Sequence, residues 1–274
     1  MPPIADLWPM IALLAATGAF AGVLAGLLGV GGGIVLVAAF FYVFQGLGYN
    51  SPQLMQICLA TSLATIIVTS LRSVLSHNKR GAVDWAILRG WAAGIAFGAV
   101  LGVLVASALR TVALQAIFAG LAFIVALYMA FGKDHWRLGA EMPQGLARWS
   151  FALLVGFLSV LMGIGGGSFG VPLMVLHSVP MHRAVATAAG FGVLIAVPSV
   201  AGFLLLEVAE DGRPPYTLGA VNLPAFLIVI AMTLITTPWG VRLAHSLNPR
   251  PLRRVFAVFL ALVALNMFRK AMGL

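Results

Sequence analysis

Eight stretches of this chain run so long with so little charge that water cannot be the solvent for most of it. They are Trp8–Phe44, Met55–Leu75, Trp85–Leu109, Val112–Phe131, Trp149–Leu176, Ala184–Leu206, Val221–Leu243 and Val255–Met267. A helix rises 1.5 Å per residue, so about 20 residues cross a hydrocarbon core of about 30 Å, and most of these runs suffice. With 62% of its 274 residues hydrophobic and 8% charged, the chain carries more apolar surface than a soluble domain of this size can bury. The first run is far longer than the core of an export signal and meets no small-residue cleavage pattern, so it is expected to stay in the protein.

Two of the runs are over-long, and each is interrupted by three glycines. "LLGVGGGIVLV" carries Gly31, Gly32 and Gly33, and "LMGIGGGSFGVP" carries Gly165, Gly166 and Gly167. A glycine costs a helix roughly 1 kcal/mol relative to alanine, so two matched triplets need a purpose. The surrounding sequence repeats as well. Gly81–Met129 overlays Gly219–Met267 without a gap, "GAV" meeting "GAV", Gly102 meeting Gly240 and Phe118 meeting Phe256, while "LATSL" at 59–63 pairs with "VATAA" at 185–189. The expected fold is an all-α polytopic membrane protein of two internally repeated helical units, residues 1–131 and 149–274, joined by a loop at 132–148.

Loop charge orients the two units. Lys79 and Arg80 follow the second run, whereas the equivalent loop of the other unit carries Glu207, Glu210 and Asp211 against Arg213. Opposite bias at equivalent places predicts inverted units, with the basic loop cytoplasmic. Inversion needs an odd number of crossings per unit. That holds if each glycine-broken segment is a hairpin entering and leaving on one side, followed by three full crossings; a kinked single crossing would make the units parallel.

Broken backbone inside a membrane survives only where it faces protein or a watery cavity. There the glycines would let a neighbour or ligand approach closely, and would expose amide N–H groups at the positive end of a half-helix, a site for an anion. Packing alone is the bland alternative, and it is the reading preferred for "GAFAGVLAG" at 18–26. A dinucleotide fingerprint is excluded, because no βαβ unit surrounds the glycines and no acidic residue follows at the required distance.

Other residues narrow the chemistry. Thr61, Ser62, Thr65, Thr69 and Ser70 line the second run, with Thr61, Thr65 and Thr69 spaced to share an inward face; Ser168, Thr187 and Ser199 are the sparser counterparts. Arg72 lies near a span end, where it snorkels to the interface. Cys58 stands alone and reads as a packing residue, and no acidic proton relay lies deep in a run. His77, His135, His177, His182 and His245 fall at or near loops without metal-ligand spacing, so no metal or other cofactor is expected. No nucleophile, base and orienting group stand in order, which argues against an enzyme. The net charge of +9 is scattered between apolar runs, which excludes a nucleic-acid partner and leaves a potential favourable to anions. Trp8, Trp85, Trp136, Trp149 and Tyr216 read as interface anchors.

The order of these motifs resembles the sulfite exporter TauE/SafE family of membrane anion permeases. The resemblance is carried by "GLLGVGGGIVLV", "ATSL" at 60–63, "HNKRGAVDW" at 77–85, "GIGGGSFGVPLM" at 163–174, "PYTLGAVNLPAF" at 215–226, and the stretch from Trp239 to Met267. It implies a multi-pass protein of the bacterial inner membrane moving sulfite, sulfonates or sulfoacetate. It also implies substrate roles for Gly31, Gly32, Gly33, Gly165, Gly166 and Gly167 through their backbone, and for Thr61, Ser62 and Ser168 through hydroxyls. The partners are then a small inorganic or organosulfur anion, membrane lipid and, for a coupled carrier, an ion. An anion channel and a membrane assembly protein that moves nothing are the competing expectations. The chain departs from the pattern at Ala38, where Pro172 stands in the second unit, and at Ala188, which replaces the hydroxyl of Ser62.

Overall fold

A computed structural model describes residues 4–28, 32–132, 136–246 and 249–273. Among these residues the chain forms ten α-helices and one two-stranded hairpin. The first five helices are α1 (Ile4–Leu28), α2 (Gly33–Gly46), α3 (Leu54–Asn78), α4 (Trp85–Ala108) and α5 (Thr111–Phe131). The next five are α6 (Gly145–Leu161), α7 (Gly167–Leu176), α8 (Met181–Leu204), α9 (Leu223–Ser246) and α10 (Pro249–Ala271). A β-hairpin of β1 (Thr217–Leu218) and β2 (Val221–Asn222) precedes α9. Eight apolar runs thus become ten helices, because each glycine triplet splits its run in two. Six helices are long and apolar enough to cross a membrane: α1, α3, α4, α5, α8 and α9.

Hydrogen bonds and close contacts fix which helix ends meet. Thr111 Oγ1 donates to the carbonyl of Pro52 at 2.7 Å, and Gln56 Nε2 donates to the carbonyl of Ala106 at 3.2 Å, so α3 and α5 begin where α4 ends. The β-hairpin joins the same end, with Ala220 N donating to the carbonyl of Phe203 at 2.9 Å, so α8 finishes there and α9 begins. The acidic loop lies here too, Gly212 packing on Asn50 and Ser51. At the opposite end α3 finishes in the basic loop, and Arg183 pairs with Asp84 at 3.0 Å where α8 and α4 begin.

Helix pairing follows one rule. α1 packs along α9 and α4 along α6, while α3 packs on α8 and α5 on α10. Exchanging α1–α5 for α6–α10 leaves that pattern unchanged. Glycine makes the closest of these approaches. Gly18 meets Val229 and Met232, and a Cβ there would lie 3.0 Å from each; its counterpart Ala152 meets Gly94, where a Cβ would lie 2.7 Å away. Gly18 and Gly22 of the "GAFAGVLAG" stretch thus pack against α9, while Ala21, Ala25 and Gly26 of the same stretch face the crevice described below. Because α1 runs parallel to α9, it starts at the hairpin end; α2 returns the chain to that end, since α3 begins there.

Large apolar side chains on the outer surface, such as Leu104, Ile124, Leu227 and Val258, sit where lipid would cover them. The five expected interface aromatics are all exposed, and Cys58 is fully buried. A side chain at Gly98 would collide with the backbone of Leu153, its Cβ falling 2.8 Å from the carbonyl carbon. Gly98→Val is therefore expected to destabilise the α4–α6 seam by about 3 kcal/mol or more, seen as a lower melting temperature in detergent, because backbone cannot yield as a flexible side chain can.

Candidate functional site

Gly32 adopts φ 63°, ψ −8° and caps α2, a left-handed turn that a side chain would strain. Gly163, at φ 60°, ends α6: its N–H donates to the carbonyl of Val160 and that of Ile164 to Ser159, both at 2.9 Å. The chain thus ends one helix and starts another at each glycine triplet. The first-turn N–H groups of a helix have no partner within it, and in α2 and α7 no capping side chain takes them up either. The halves are unequal. α2 has 14 residues and α7 has 10, and α7 contains Pro172.

The two breaks touch. A Cβ at Gly33 would lie 3.1 Å from the carbonyl oxygen of Gly163 and 3.1 Å from Cα of Ile164. On one side of this junction the helices separate to form a crevice of about 240 Å³, lined by Gly32 from the first break and by Gly165, Gly166 and Gly167 from the second. α3 forms its floor through Thr65, Thr69, Ser73 and His77, spaced four residues apart on one face, with Ser70 beside them. Thr233 and Thr237 of α9 add two further hydroxyls. No Asp, Glu, Lys or Arg stands among its described lining residues.

A hydroxyl has a single proton to give, so its existing bonds decide what it can offer a ligand. Thr65 donates to the carbonyl of Ser62 at 2.7 Å and Thr69 to that of Thr65 at 3.1 Å. Thr233 and Thr237 likewise donate to Ile230 and Thr233, at 3.0 and 2.6 Å. All four protons are thus committed to backbone carbonyls. Ser70 and Ser73 make no hydrogen bond among the described residues and keep their protons. Ser70 Oγ presses on Gly192 and lies 3.7 Å from where a Cβ of Gly165 would stand, beside the N-terminus of α7.

The other side of the junction is sealed. Ser62 Oγ donates to the carbonyl of Gly163 at 2.7 Å, and Thr61 Oγ1 accepts the backbone N–H of Asn222 at 3.0 Å. The second unit matches the latter bond: Thr187 Oγ1 accepts the N–H of Asp84 at 2.9 Å. Asp84 and Asn222 are themselves equivalent, each capping the helix that follows it.

The structure therefore brings Gly32, Gly165, Gly166 and Gly167 together around one space, and sets Gly33 in the junction between the breaks. Gly31 and His135 lie outside the described residues. Thr61 and Ser62 are not among the residues lining the crevice; Ser62 gives its proton to the carbonyl of Gly163, and Thr61 accepts the backbone N–H of Asn222. Ser168 is buried behind the triplet with its Oγ unpartnered. Arg72 is exposed, as a snorkelling residue should be. Ser73, Thr233, Thr237 and the crevice position of His77 escaped sequence reasoning, although the i, i+4 spacing of Thr233 and Thr237 was a usable signal. Among the described residues no group of three His, Cys, Asp or Glu gathers to hold a metal.

Comparison with known proteins gives this arrangement a context. The family described as sulfite exporter TauE/SafE matches residues 14–267. A "probable membrane transporter protein" of Haemophilus influenzae is 31% identical over 265 residues, covering 96% of this chain and 100% of its own. One of Methanocaldococcus jannaschii is 26% identical, covering 94% of this chain and 95% of its own. Another, of Bacillus subtilis, is 28% identical over 64% of this chain and 71% of its own. No solved structure matches. The match spans both glycine breaks and nearly every helix, so the chain belongs to the sulfite exporter TauE/SafE family of membrane transporters, not to a family of enzymes.

Proposed function

We propose that this protein is a secondary transporter that carries small sulfur-containing anions of the sulfite, sulfonate or sulfoacetate class across the inner membrane by alternating access. The observation that carries this reading is a crevice lined from both glycine breaks and closed on one side by the Ser62–Gly163 and Thr61–Asn222 bonds. The anion sits at the N-terminus of α7, held by unpaired N–H groups of Gly165, Gly166 and Gly167 and by the hydroxyl protons of Ser70 and Ser73. Gly32 and the start of α2 supply the opposing half of the site. Thr61 and Ser62 act one step back, in the seal. The space, about 240 Å³, admits a small oxyanion, which suits the sulfur class suggested by the family's name.

Residues 1–131 and 149–274 form two inverted repeats, joined through 132–148. Equivalent helices running in opposite senses support this: α3 leaves the hairpin end while α8 arrives there, and α4 arrives where α9 leaves. Each repeat is then a broken hairpin followed by three crossings, the odd count that inversion requires. The basic loop marks the cytoplasmic face and the acidic loop the outer one, so the crevice faces the cytoplasm.

A channel needs one continuous path, and the seal beside the breaks favours a carrier. Purified protein in sealed vesicles should move labelled sulfite or a labelled sulfonate with saturable kinetics and counterflow. Flux no greater than that of empty vesicles across a panel of sulfur oxyanions and sulfonates rejects the proposal. Flux that neither saturates nor shows counterflow identifies the channel instead.

A further inference from the structure

Charge balance in the crevice singles out His77, and the argument rests on the anion site just proposed. An anion that leaves water for a helix-lined crevice loses hydration and needs positive charge to offset the loss. The end of α7 supplies only a partial charge. Among the described residues lining the crevice, His77 is the only side chain that titrates near neutral pH; the linings from α1, α2, α7, α8 and α9 carry no ionisable group. It stands on the same face of α3 as Thr65, Thr69 and Ser73, so a ligand moving between the breaks and the basic loop passes it.

The charges around His77 leave it short of an anionic partner. Arg80 acts on it through space, Lys79 adjoins it in the loop, and Arg72 precedes it on the exposed face of α3. α8 opens with His182 and Arg183, and at this end the side chain of Arg183 engages the carboxylate of Asp84 at 3.0 Å. Arg242 of α9 is a further cation, on an exposed position. An imidazolium at His77 is therefore stabilised chiefly by an anion in the crevice.

We infer that His77 is a proton-binding site coupled to the anion site, so that the crevice loads an anion and a proton together. The proton adds to the free imidazole nitrogen and no other bond changes. By linkage the coupling is reciprocal: the anion strengthens proton binding at His77, and the proton strengthens anion binding by the same factor. The sign follows. Anion affinity is greatest where His77 is protonated and declines as pH rises through its titration.

The test is calorimetric titration of the full-length protein with methanesulfonate, whose charge does not change over this range, at pH 6.5 in buffers of different ionisation enthalpy. Wild type should take up roughly half a proton per anion, and its affinity should fall about tenfold between pH 5.5 and 8, the factor set by one unit of coupling. His77→Gln should abolish proton uptake and flatten the pH profile, whereas His182→Gln, altered outside the crevice, should keep both. Wild-type binding without proton uptake overturns the inference while leaving the anion site standing, and so does undiminished uptake by His77→Gln. Failure of wild type to bind any small sulfonate or sulfite at any pH overturns the anion site itself, and this inference with it.

Discussion

Gly165→Ala is expected to reduce anion transport by roughly tenfold to a hundredfold while leaving the protein folded, the range that follows when the added methyl keeps the anion from one charge-assisted hydrogen bond. The substitution separates a binding role for the triplet from a packing role. Gly165 lacks the left-handed conformation of Gly32 and Gly163, so alanine brings no backbone strain. The added Cβ would stand 3.2 Å from Cγ2 of Ile66 and 3.7 Å from Ser70 Oγ, contacts that small side-chain shifts relieve. It would nonetheless occupy the space between Ser70 and the start of α7 that the anion is proposed to fill. The measurement is initial flux in vesicles alongside a melting curve. Wild-type flux with a wild-type melting temperature would return the glycines to packing. Gly166→Ala is a poorer choice, because its Cβ would fall 2.6 Å from the carbonyl of Ala188 and confound folding with function.

Ser70→Ala should weaken anion affinity by about tenfold or more, whereas Thr69→Ala, one residue away on the same helix, should change it by less than about threefold. The contrast comes from hydrogen-bond direction rather than position. Both hydroxyls line the crevice, but the Thr69 proton is committed to the Thr65 carbonyl at 3.1 Å and that of Ser70 is free. An anion needs donors, so only the free proton adds affinity. Both substitutions leave α3 helical, since alanine is the best helix former. Equal losses at the two positions, measured by equilibrium binding of methanesulfonate, would mean that the hydroxyls act through crevice shape and not through donation. A restored affinity in Ser70→Thr would strengthen the donor assignment.

Much of the architecture could be read from residue order. Apolar run lengths gave the membrane class, and the gapless overlay of Gly81–Met129 on Gly219–Met267 anticipated the exchange pattern of helix pairs. The places where helices break were visible as well, because consecutive glycines act on the backbone locally. The hydroxyls were harder. Thr61, Thr65 and Thr69 share a helical face, yet Thr61 is diverted by the N–H of Asn222, a residue 161 positions away. Ser62 looked equally available and is held by the Gly163 carbonyl, 101 positions away. Ser70 and Ser73 looked no different from them and remain free. A serine or threonine carries the same groups in every case; Thr65 and Thr69 give their protons to carbonyls in their own helix, whereas the partners of Thr61 and Ser62 come from the far half of the chain.

Sequence alone determined that this chain lives in a membrane, that stretches of its two halves match one another, and that its helices are interrupted at the glycine triplets. These properties follow from transfer of apolar side chains out of water and from the lack of a Cβ, both of which act residue by residue. Only the tertiary structure decided that the two interruptions meet, that a crevice opens on one side of their junction and a seal on the other, and which hydroxyls keep a proton for a ligand. Those outcomes depend on groups brought together from opposite halves of the chain, where each donor and acceptor is assigned by competition among neighbours in space.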